Sequence, residues 1–444
     1  MRKSVLVVLA IGAIGLQSCT KDFWKHHGHG HGHDDDDIIR VVVDEGLEDQ
    51  GPNIIMSPNK LVISFDSGLS PNQRQEIRED FSVTVTESCN CGDTNIERWT
   101  IDTNELEIER AVSRLRGSSG GNDVEGDQDF EIVLPRVLGD FAGPNDFDQG
   151  EQEGVVEFVP EGDEVNIAVI DTGLDYITYD FGTSPFLYNA EPSCFDTYSG
   201  WNFITETNDV IDRHGHGTYV TKLTMSVLED AGVEYNILPL KVFNGSGEGS
   251  LFNVICALGY VRDIQSNGGD INIVNASFGG AMLQEDIEQH VVLNQILEDL
   301  KSKDVLVVAS AGNKGEDNDA GAIGHFISGN SAENIFAVGG YDDTSGSIEV
   351  SSESNFGNKS IDVAVPFGGY GVELLNASNE VVQATLTGTS YGAAYISGFA
   401  GNYYIMQGSE GVDLKDDILD DSNFTDTESG LDGKIKDSKA IIVN

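Results

Sequence analysis

Basic residues, prolines and long apolar runs are all scarce in this sequence. Lys and Arg number 25 against 75 Asp and Glu, which gives a formal net charge of −50. An acidic surface repels nucleic-acid phosphates, so the composition disfavours a nucleic-acid partner bound through a basic patch. It indicates a soluble, self-repelling surface, with a preference for basic substrates or bound Ca²⁺ as the alternative. Past the N-terminal segment no run approaches the roughly 18 apolar residues of a membrane-spanning helix, so none is expected there.

Only 10 of the 444 residues are proline, whereas 52 are glycine. This ratio indicates many tight turns, as in α/β enzymes, rather than a low-complexity chain. The length predicts two or three domains, and 39% hydrophobic residues are enough to bury a sizeable core.

Residues 1–19 have the pattern of an export signal. Arg2 and Lys3 supply positive charge, and the apolar run from Val5 to Leu16 is too short to span a bilayer comfortably. Cys19 ends the segment as in a bacterial lipobox, in which the cysteine is acylated. We therefore expect an exported bacterial protein, periplasmic, on the outer-membrane surface or extracellular, that touches the membrane only through a lipid anchor. An ordinary signal peptide, in which Cys19 has no role, is the alternative.

The chain contains five cysteines, and an exported protein can oxidise those that carry no lipid. A disulfide between Cys194 and Cys256 is possible. Cys89 and Cys91 lack the partners of a zinc site, so they are expected to be surface thiols near a turn.

Residues 20–58 are predicted to be a flexible spacer that precedes the folded parts of the chain. They include the stretch HHGHGHGHDDDD at 26–37, whose five imidazoles and four carboxylates favour weak binding of transition metals as a by-product.

Residues 59–135 alternate between strand and helix patterns in the order β-α-β-β-α-β, which is typical of a small ferredoxin-like α+β domain. Ser70 before Pro71 predicts the start of the first helix. The predicted strands are 59–65, 82–88, 96–102 and 129–135, and the predicted helices are 71–81 and 105–116. The acidic, Gly-rich residues 136–163 are predicted to form a linker.

Residues 164–444 alternate apolar strands with helices. Near-continuous apolar runs are typical of parallel strands buried on both faces. The runs are 165–171, 235–243, 271–279 and 305–312, and the helical candidates are 217–229, 250–266 and 283–302. The pattern predicts an α/β domain with a doubly wound, mainly parallel sheet.

Three motifs in this region supply groups for acyl transfer, which needs a nucleophile, a base and an acid that orients the base. Asp171 ends an apolar strand, and sites in parallel sheets lie at the carboxyl ends of strands. His216 stands between two glycines and opens a predicted helix. Ser390 precedes an apolar helix whose first N–H groups favour an oxyanion. Taken singly, Asp171 and Ser390 are equally consistent with helix caps, and a lone histidine with packing.

Together, the segments Asp171-Thr172-Gly173, Gly215-His216-Gly217-Thr218 and Gly388-Thr389-Ser390 resemble those of the subtilisin-like serine proteases, the subtilases. Ser310-Ala311-Gly312-Asn313 resembles the segment of that family that carries the oxyanion donor. The resemblance implies a serine endopeptidase whose catalytic triad is Asp171, His216 and Ser390, with Asn313 as oxyanion donor. Tyr391 and Ala394 depart from it, because the family usually has Met and Pro there.

The segment that contains Ser277, Phe278 and Gly279 resembles the substrate-binding edge of the family, along which a peptide would add as a strand. The resemblance implies two walls around the residue that precedes the scissile bond. One wall is Ser277, Phe278 and Gly279, and the other is Ser310, Ala311 and Gly312. Asp180, nine residues after Asp171, has the spacing of a calcium ligand in the family. No cofactor is required by this chemistry, and structural calcium is possible.

By the same resemblance, residues 59–135 are a propeptide that assists folding, blocks the cleft as an intramolecular inhibitor, and is removed by the enzyme itself. The cut would fall between about 135 and 160. A permanent accessory domain is the alternative for this segment. Two other functions stay open for the whole chain. One is a catalytically silent subtilase that only binds peptides, and the other is a metal-binding surface lipoprotein that relies on residues 26–37.

Overall fold

The computed structural model describes residues 38–44, 54–89, 95–116, 123–135, 137, 164–181, 200–344, 346–376 and 380–443. The predicted signal peptide with Cys19, the His-rich stretch, and all of the predicted linker apart from Val137 lie outside these residues. We call residues 54–135 the module and residues 164–443 the body.

The strands of the described residues are β1 (Ile38–Asp44), β2 (Ile54–Phe65), β3 (Val83–Ser88), β4 (Ile96–Ile101), β5 (Val124–Val133), β6 (Val165–Asp171), β7 (Tyr179–Asp180), β8 (Trp201–Asn202), β9 (Tyr235–Lys241), β10 (Glu248–Ser250), β11 (Ile273–Ala276), β12 (Gly280–Leu283), β13 (Leu306–Ser310), β14 (Ile323–Phe326), β15 (Ile335–Asp343), β16 (Ile348–Val350), β17 (Val363–Pro366), β18 (Gly368–Asn376), β19 (Val381–Thr387), β20 (Thr425–Thr427) and β21 (Lys439–Ile441). The α-helices are α1 (Pro71–Asp80), α2 (Ile108–Arg116), α3 (His216–Ala231), α4 (Leu251–Ser266), α5 (Gln284–Glu288), α6 (Val291–Lys301), α7 (Thr389–Gln407) and α8 (Gly411–Asp420).

The module has the predicted order β-α-β-β-α-β. Its first helix begins where Ser70 accepts the N–H of Gln73 and the Gln73 side chain returns to the Ser70 backbone, a capping box in front of Pro71. Its four strands pair antiparallel in the order β5-β2-β4-β3, and β10 of the body adds to the β5 edge. The predicted ferredoxin-like topology is therefore confirmed.

The body is built on a sheet whose central strands are all parallel, in the order β17-β15-β13-β11-β6-β9. Alternate residues of β6 point to opposite faces. Val165, Ile167 and Val169 join the core beneath α3 and α7, whereas Ala168 and Ile170 join the core beneath α4 and α6. Helices thus cover both faces, and the prediction of a doubly wound, mainly parallel sheet is confirmed.

Three predictions about local structure are wrong. The single helix predicted at 283–302 is divided into α5 and α6, because the chain leaves helical geometry at His290, the N-cap of α6. The spacer predicted at 20–58 includes strand β1, whose β-branched residues pair in parallel with β19. Strand β2 also begins within that predicted spacer, at Ile54.

The cysteine pairing also differs from the expectation. Cys89 is buried rather than a surface thiol, and its sulfur is bonded to that of Cys256. This disulfide joins the residue that follows β3 of the module to α4 of the body across 167 residues of sequence. Cys256 therefore cannot pair with Cys194, which lies outside the described residues, as does Cys91. Spacing could not predict this bond, because connectivity depends on which segments dock.

Among the described helices, none combines the length and the hydrophobicity needed to cross a membrane.

Candidate active site

The predicted site residues meet at one edge of the parallel sheet. Asp171 is the last residue of β6, Ser310 is the last residue of β13, and Ser277 follows β11, which lies between those two strands. Because the carboxyl ends of parallel strands share an edge, the three segments converge there.

His216 and Asp171 form a buried pair at this edge. The Nδ1 atom of His216 lies 2.8 Å from Oδ1 and 2.9 Å from Oδ2 of Asp171. The exposed fractions are 0% for Asp171 and 1% for His216. A carboxylate only accepts hydrogen bonds, so this geometry places a proton on Nδ1 and leaves Nε2 as the proton-accepting atom of the neutral ring.

Glycines on either side of His216 make this pairing possible. Gly215, the N-cap of α3, has a φ of 100°, a left-handed conformation that favours glycine. A Cβ atom on Gly217 would lie 2.4 Å from the Gly173 carbonyl oxygen and 3.0 Å from Asp171 Oδ1. The N–H of Gly217 instead donates to Thr172 Oγ1 at 2.8 Å, which brings the start of α3 against the end of β6.

Asp212 organises the turn before His216, and the sequence analysis missed it. Its fully buried carboxylate accepts the N–H groups of His214, Gly215 and Thr218 at 2.8–3.0 Å, and the Thr218 hydroxyl at 2.7 Å. Burial raises the pKa of this carboxyl, but Lys241 and these hydrogen bonds outweigh it, so the net shift is downward. The only sequence signal for this role of Asp212 is its position, four residues before a histidine that is flanked by glycines.

Lys241 is the buried cation of this region. It lies opposite Asp171 in the pairing of β6 with β9, and its ammonium donates to the Thr172 carbonyl oxygen. Burial lowers the pKa of Lys241, and the attraction of Asp212 opposes this effect. Burial likewise lowers the pKa of His214, with a contribution from His216, so the neutral ring is favoured there.

Ser390 lies in the first turn of α7, which packs beside α3. The N-cap is Gly388, and Ser390 is 6% exposed. The ring of the next residue, Tyr391, lies 5.9 Å from that of His216, centroid to centroid. On the other side, the Ser277 hydroxyl donates to the Ser390 carbonyl oxygen at 2.8 Å. The structure thus brings Ser390 between the His216 helix and the strand edge formed by Ser277.

Asn313 is held against the same helix start. Its side-chain oxygen accepts the N–H and the hydroxyl of Thr389, each at 2.8 Å. The N–H of Gly312 in turn donates to Thr389 Oγ1 at 3.1 Å. With the amide oxygen engaged by Thr389, the NH₂ group is the end of Asn313 that can act as a donor next to Ser390.

Two further asparagines support this loop and were not found in the sequence. Asn355 Oδ1 accepts the N–H groups of Lys314 and Glu316, at 2.9 and 3.1 Å. Its amide donates to Asn318 Oδ1, and Asn318 donates to the Ala311 carbonyl oxygen at 2.9 Å. No local pattern marks Asn355, because its partners lie about 40 residues away along the chain.

The two predicted pocket walls lie next to each other at the sheet edge, since Ser277 to Gly279 follow β11 and Ser310 to Gly312 begin at the last residue of the neighbouring β13. The Phe278 side chain belongs to the core rather than to an open pocket. It is 2% exposed and packs edge-on against Phe243 at 5.0 Å between centroids. Its backbone is therefore the part of Phe278 that can line the cleft.

The last strand of the module runs into this edge. β5 pairs antiparallel with β10, and the Leu134 N–H donates to the Gly247 carbonyl oxygen at 2.9 Å. A Cβ atom on Gly247 would lie 3.2 Å from Leu134 Cβ and 2.9 Å from His214 Nε2. Gly247 therefore lies between Leu134 and His214, the histidine two residues before His216.

Two carboxylates of β5 cap helices of the body. Asp129 accepts the N–H of Phe252 in the first turn of α4 at 3.2 Å. Asp127 accepts the N–H of Val291, the first residue of α6, at 2.6 Å. Both carboxylates are buried and lie at the positive ends of helix dipoles. The break between α5 and α6 thus creates a helix end that the module occupies.

Asp180 lies in β7 and is exposed. Among the described residues, no group of three or more His, Cys, Asp or Glu side chains is close enough to hold a metal ion. Calcium at Asp180 stays a prediction, because calcium also binds carbonyl oxygens.

Comparison with known proteins agrees with these motifs. The sequence pattern of the Subtilase family matches residues 162–410, more than half of the chain. Subtilisin-like protease 2 of Plasmodium falciparum is 25% identical over 262 residues, which cover 58% of this chain and 18% of that protein. The cuticle-degrading serine protease of Arthrobotrys oligospora is 25% identical over 266 residues, with coverages of 54% and 60%.

The thermophilic serine proteinase of Bacillus sp. strain AK1 is 27% identical over 258 residues, with coverages of 57% and 55%. This chain therefore spans less than two thirds of the length of these relatives. A crystal structure of the epidermin leader peptide processing serine protease of Staphylococcus aureus has a TM-score of 0.53 and 14% identity, and covers 87% of this chain and 97% of that one. That likeness concerns the fold. On the family match, the chain belongs to the subtilase family.

Proposed function

We propose that this chain is a serine endopeptidase that hydrolyses peptide bonds through an acyl-enzyme, with Asp171, His216 and Ser390 as its catalytic triad. One observation carries the proposal. His216 is bound through Nδ1 to a buried carboxylate while its ring lies beside the first turn of the helix that carries Ser390. This is the arrangement in which an imidazole can take a proton from a serine hydroxyl.

The proposed reaction follows from the tautomer of His216. Ser390 Oγ attacks the carbonyl carbon of the peptide as its proton passes to Nε2 of the neutral ring. Asp171 keeps the Nδ1 proton in place and stabilises the imidazolium that forms. His216 then protonates the leaving amine, the peptide bond breaks, and Ser390 remains as an ester. Water repeats the same steps on that ester and releases the acid.

The oxyanion formed in each step needs donors that are already in position. We assign this role to the Asn313 amide and the backbone N–H of Ser390. Support comes from the two Thr389 hydrogen bonds that orient Asn313 and from the position of Ser390 at a helix N-terminus. In subtilisin, loss of the equivalent amide costs roughly 10²–10³ in turnover, and an effect of that size is expected for Asn313→Ala.

The module is proposed to act as the propeptide and intramolecular inhibitor of this site. Support comes from the pairing of β5 with β10 and from Leu134, which lies against Gly247 beside His214. The proposed self-cleavage falls between about 135 and 160, mostly outside the described residues.

Export and lipid attachment at Cys19, to a bacterial surface or the periplasm, rest on the signal-like residues 1–19. Peptides and proteins would be the substrates, and structural calcium stays possible.

Mass spectrometry of the purified protein beside Ser390→Ala tests these proposals together. After treatment with dithiothreitol, which opens the Cys89–Cys256 bond, the native protein should yield a chain cut near residues 135–160, react with a fluorophosphonate at Ser390, and hydrolyse casein. Ser390→Ala should do none of these, whereas Ser302→Ala, at an exposed serine after α6, should do all three.

An intact native chain that neither labels nor cuts casein would contradict the enzyme proposal and favour a silent, peptide-binding subtilase. Loss of casein hydrolysis on deletion of residues 26–37 would instead favour the role of a metal-binding lipoprotein.

A further inference from the structure

His325 lies between the two walls that would hold the residue preceding the scissile bond. It belongs to β14, which pairs antiparallel with β12, so that His325 faces Ala281, two residues after Gly279. Its side chain is 5% exposed, and Nδ1 lies 3.0 Å from the Ser328 hydroxyl. The ring is therefore held in place within the protein.

The ring touches both walls. A Cβ atom on Gly279 would lie 2.3 Å from His325 Cε1, and a Cβ atom on Gly312 would lie 2.8 Å from His325 Nε2. These distances are shorter than any van der Waals contact, so the imidazole fills space next to two residues that have no side chain. It shares that space with the Phe326 carbonyl oxygen, 1.9 Å from the Cβ position of Gly279, and with the Asn355 amide nitrogen, 2.6 Å from that of Gly312. Gly279 ends one predicted wall and Gly312 ends the other.

We propose that His325 fills the pocket for the residue before the scissile bond and restricts this position to small side chains such as Gly, Ala and Ser. The inference rests on the proposed peptidase function and specifies its substrate class. A long or aromatic side chain between Gly279 and Gly312 would overlap the ring. Burial lowers the pKa of His325 to about 3, so the ring stays neutral and offers no charge to an acidic side chain.

Two fluorogenic peptides that differ only in the residue before the scissile bond, Ala in one and Phe in the other, test this restriction. One methylene in a tight pocket changes kcat/KM by roughly 10–200-fold. Assayed in the presence of dithiothreitol, the native enzyme should therefore prefer the Ala peptide by at least about 100-fold. His325→Gly should reduce this preference by at least about tenfold, mainly by raising kcat/KM for the Phe peptide. Ile323→Ala, at an exposed position of the same strand, should leave it unchanged.

Because a ratio of kcat/KM values cancels the folded fraction, partial unfolding of the variant does not affect the result. Comparable hydrolysis of both peptides by the native enzyme would overturn the inference, and so would an unchanged ratio in folded His325→Gly. If the glycine variant does not fold, His325→Ala replaces it, and the native ratio decides alone if neither folds. No hydrolysis of either peptide would overturn the proposed function and this inference with it.

A second inference rests on the disulfide alone. Cys89 belongs to the module and Cys256 to α4 of the body, and each is 1% exposed. The chain connects the two parts only through residues 136–163, where the proposed cut also falls. Cutting the chain there leaves the sulfur–sulfur bond as a covalent link between the two products.

We infer that cleavage by itself does not release the module, and that release also requires a dithiol reductant. The dithiol supplies two electrons and two protons, the Cys89–Cys256 bond becomes two thiols, and the reductant becomes a disulfide. Because both cysteines are buried, this exchange is slow while the module stays docked. Removal of the module thus needs two separate chemical events.

The test uses Ser390→Ala protein with a recognition site for an unrelated protease inserted after residue 150, so it does not depend on self-cleavage. After cutting, a denaturing gel without reductant should show one species, and a gel with dithiothreitol should show two. Cys256→Ser should show two in both gels, whereas Cys91→Ser should behave like its parent. Two species without reductant from the parent would overturn the inference, and so would one species from Cys256→Ser.

Discussion

The body and the module each contain a β-sheet, but the two sheets are covered in different ways. The body covers both faces of its parallel sheet with its own helices. In the module, Leu61 and Ile63 pack with α1 and α2 into a local core, whereas the intervening Val62 joins a core of the body. One face of β2, β4 and β5 is thus buried by another part of the chain, whereas β3 stays largely exposed.

This difference means that the module can complete its fold only when it is docked. Separated from the body, its sheet would expose Val62, Ile96, Phe130 and Ile132, which are all at most 1% exposed in the intact chain. The body gains two helix caps, from Asp127 and Asp129, and a strand partner for β10. The folding of the module and that of the body are therefore expected to depend on each other through this shared interface, and not through the groups proposed for catalysis.

The largest expected effect is a loss of stability of the body at acid pH, which comes from His325. Burial lowers the pKa of His325 to about 3 from 6.5, and Lys314 is the charged group that adds to this shift. The unfolded chain therefore binds a proton that the folded body does not, so stability is lost as the pH falls from 6.5 toward 3. The loss is on the order of 5 kcal/mol at most.

Urea unfolding of Ser390→Ala protein across this pH range measures the loss, and adding His325→Gln should flatten the curve. A curve of the same slope with and without His325 would show that this group is not its source.

Removal of Phe130 should break the interface. This ring is fully buried and makes edge contacts with Phe326 and His290 of the body, at 5.1 and 5.9 Å between centroids. Phe130→Ala should cost about 3–5 kcal/mol, through lost burial and a cavity. Hydrogen exchange should then rise in both module and body strands. The matched variant Phe81→Ala, in the local core of the module, should raise exchange in the module first, and equal patterns from both variants would contradict the coupling.

The docking of the module should depend on pH in the opposite direction to the stability of the body. Burial raises the pKa of Asp129 to about 6, against the attraction of Arg98 and Lys60, from an ordinary value of 3.8. The folded state therefore holds the proton more tightly, so stability is full below 3.8 and is lost as the pH rises toward 6. The loss is on the order of 3 kcal/mol at most.

Asp129→Asn should remove this dependence, and the retention of a cut and reduced module on gel filtration measures it. A module that docks more tightly as the pH rises from 3.8 to 6 would contradict the assignment.

The smallest effect is expected on the outer surface of the module. Arg114 pairs with Asp80 and lies over the Phe81 ring, 4.1 Å from its centroid, but both charged side chains are substantially exposed. Arg114→Gln should change the free energy of unfolding by less than about 1 kcal/mol. Urea unfolding of Arg114→Gln and of Phe130→Ala measures both changes in the free energy of unfolding. A loss for Arg114→Gln as large as that for Phe130→Ala would contradict the prediction that the interface stabilises the module more than its outer surface does.

Most of the body could be predicted because its signals are local. Buried parallel strands are apolar almost throughout, and glycines mark the turns after Asp171 and before His216. The helix predicted at 283–302 is instead divided at His290, and the N–H that opens there at Val291 is accepted by Asp127, a residue more than 150 positions away that no local pattern connects to it. The Phe278 side chain was expected near the pocket, but the neighbouring Phe243 draws it into the core.

The sequence by itself determined four of the parallel strands of the body, the doubly wound sheet, the module topology and the motifs that carry Asp171, His216, Asn313 and Ser390. These follow from patterns within a few residues, set by burial on one or two faces and by glycine geometry. Only the tertiary structure decided the Cys89–Cys256 bond, the caps that the module provides, and the position of His325 between Gly279 and Gly312. Each of these joins segments that are distant in the chain, and residue spacing carries no information about which distant surfaces pack together.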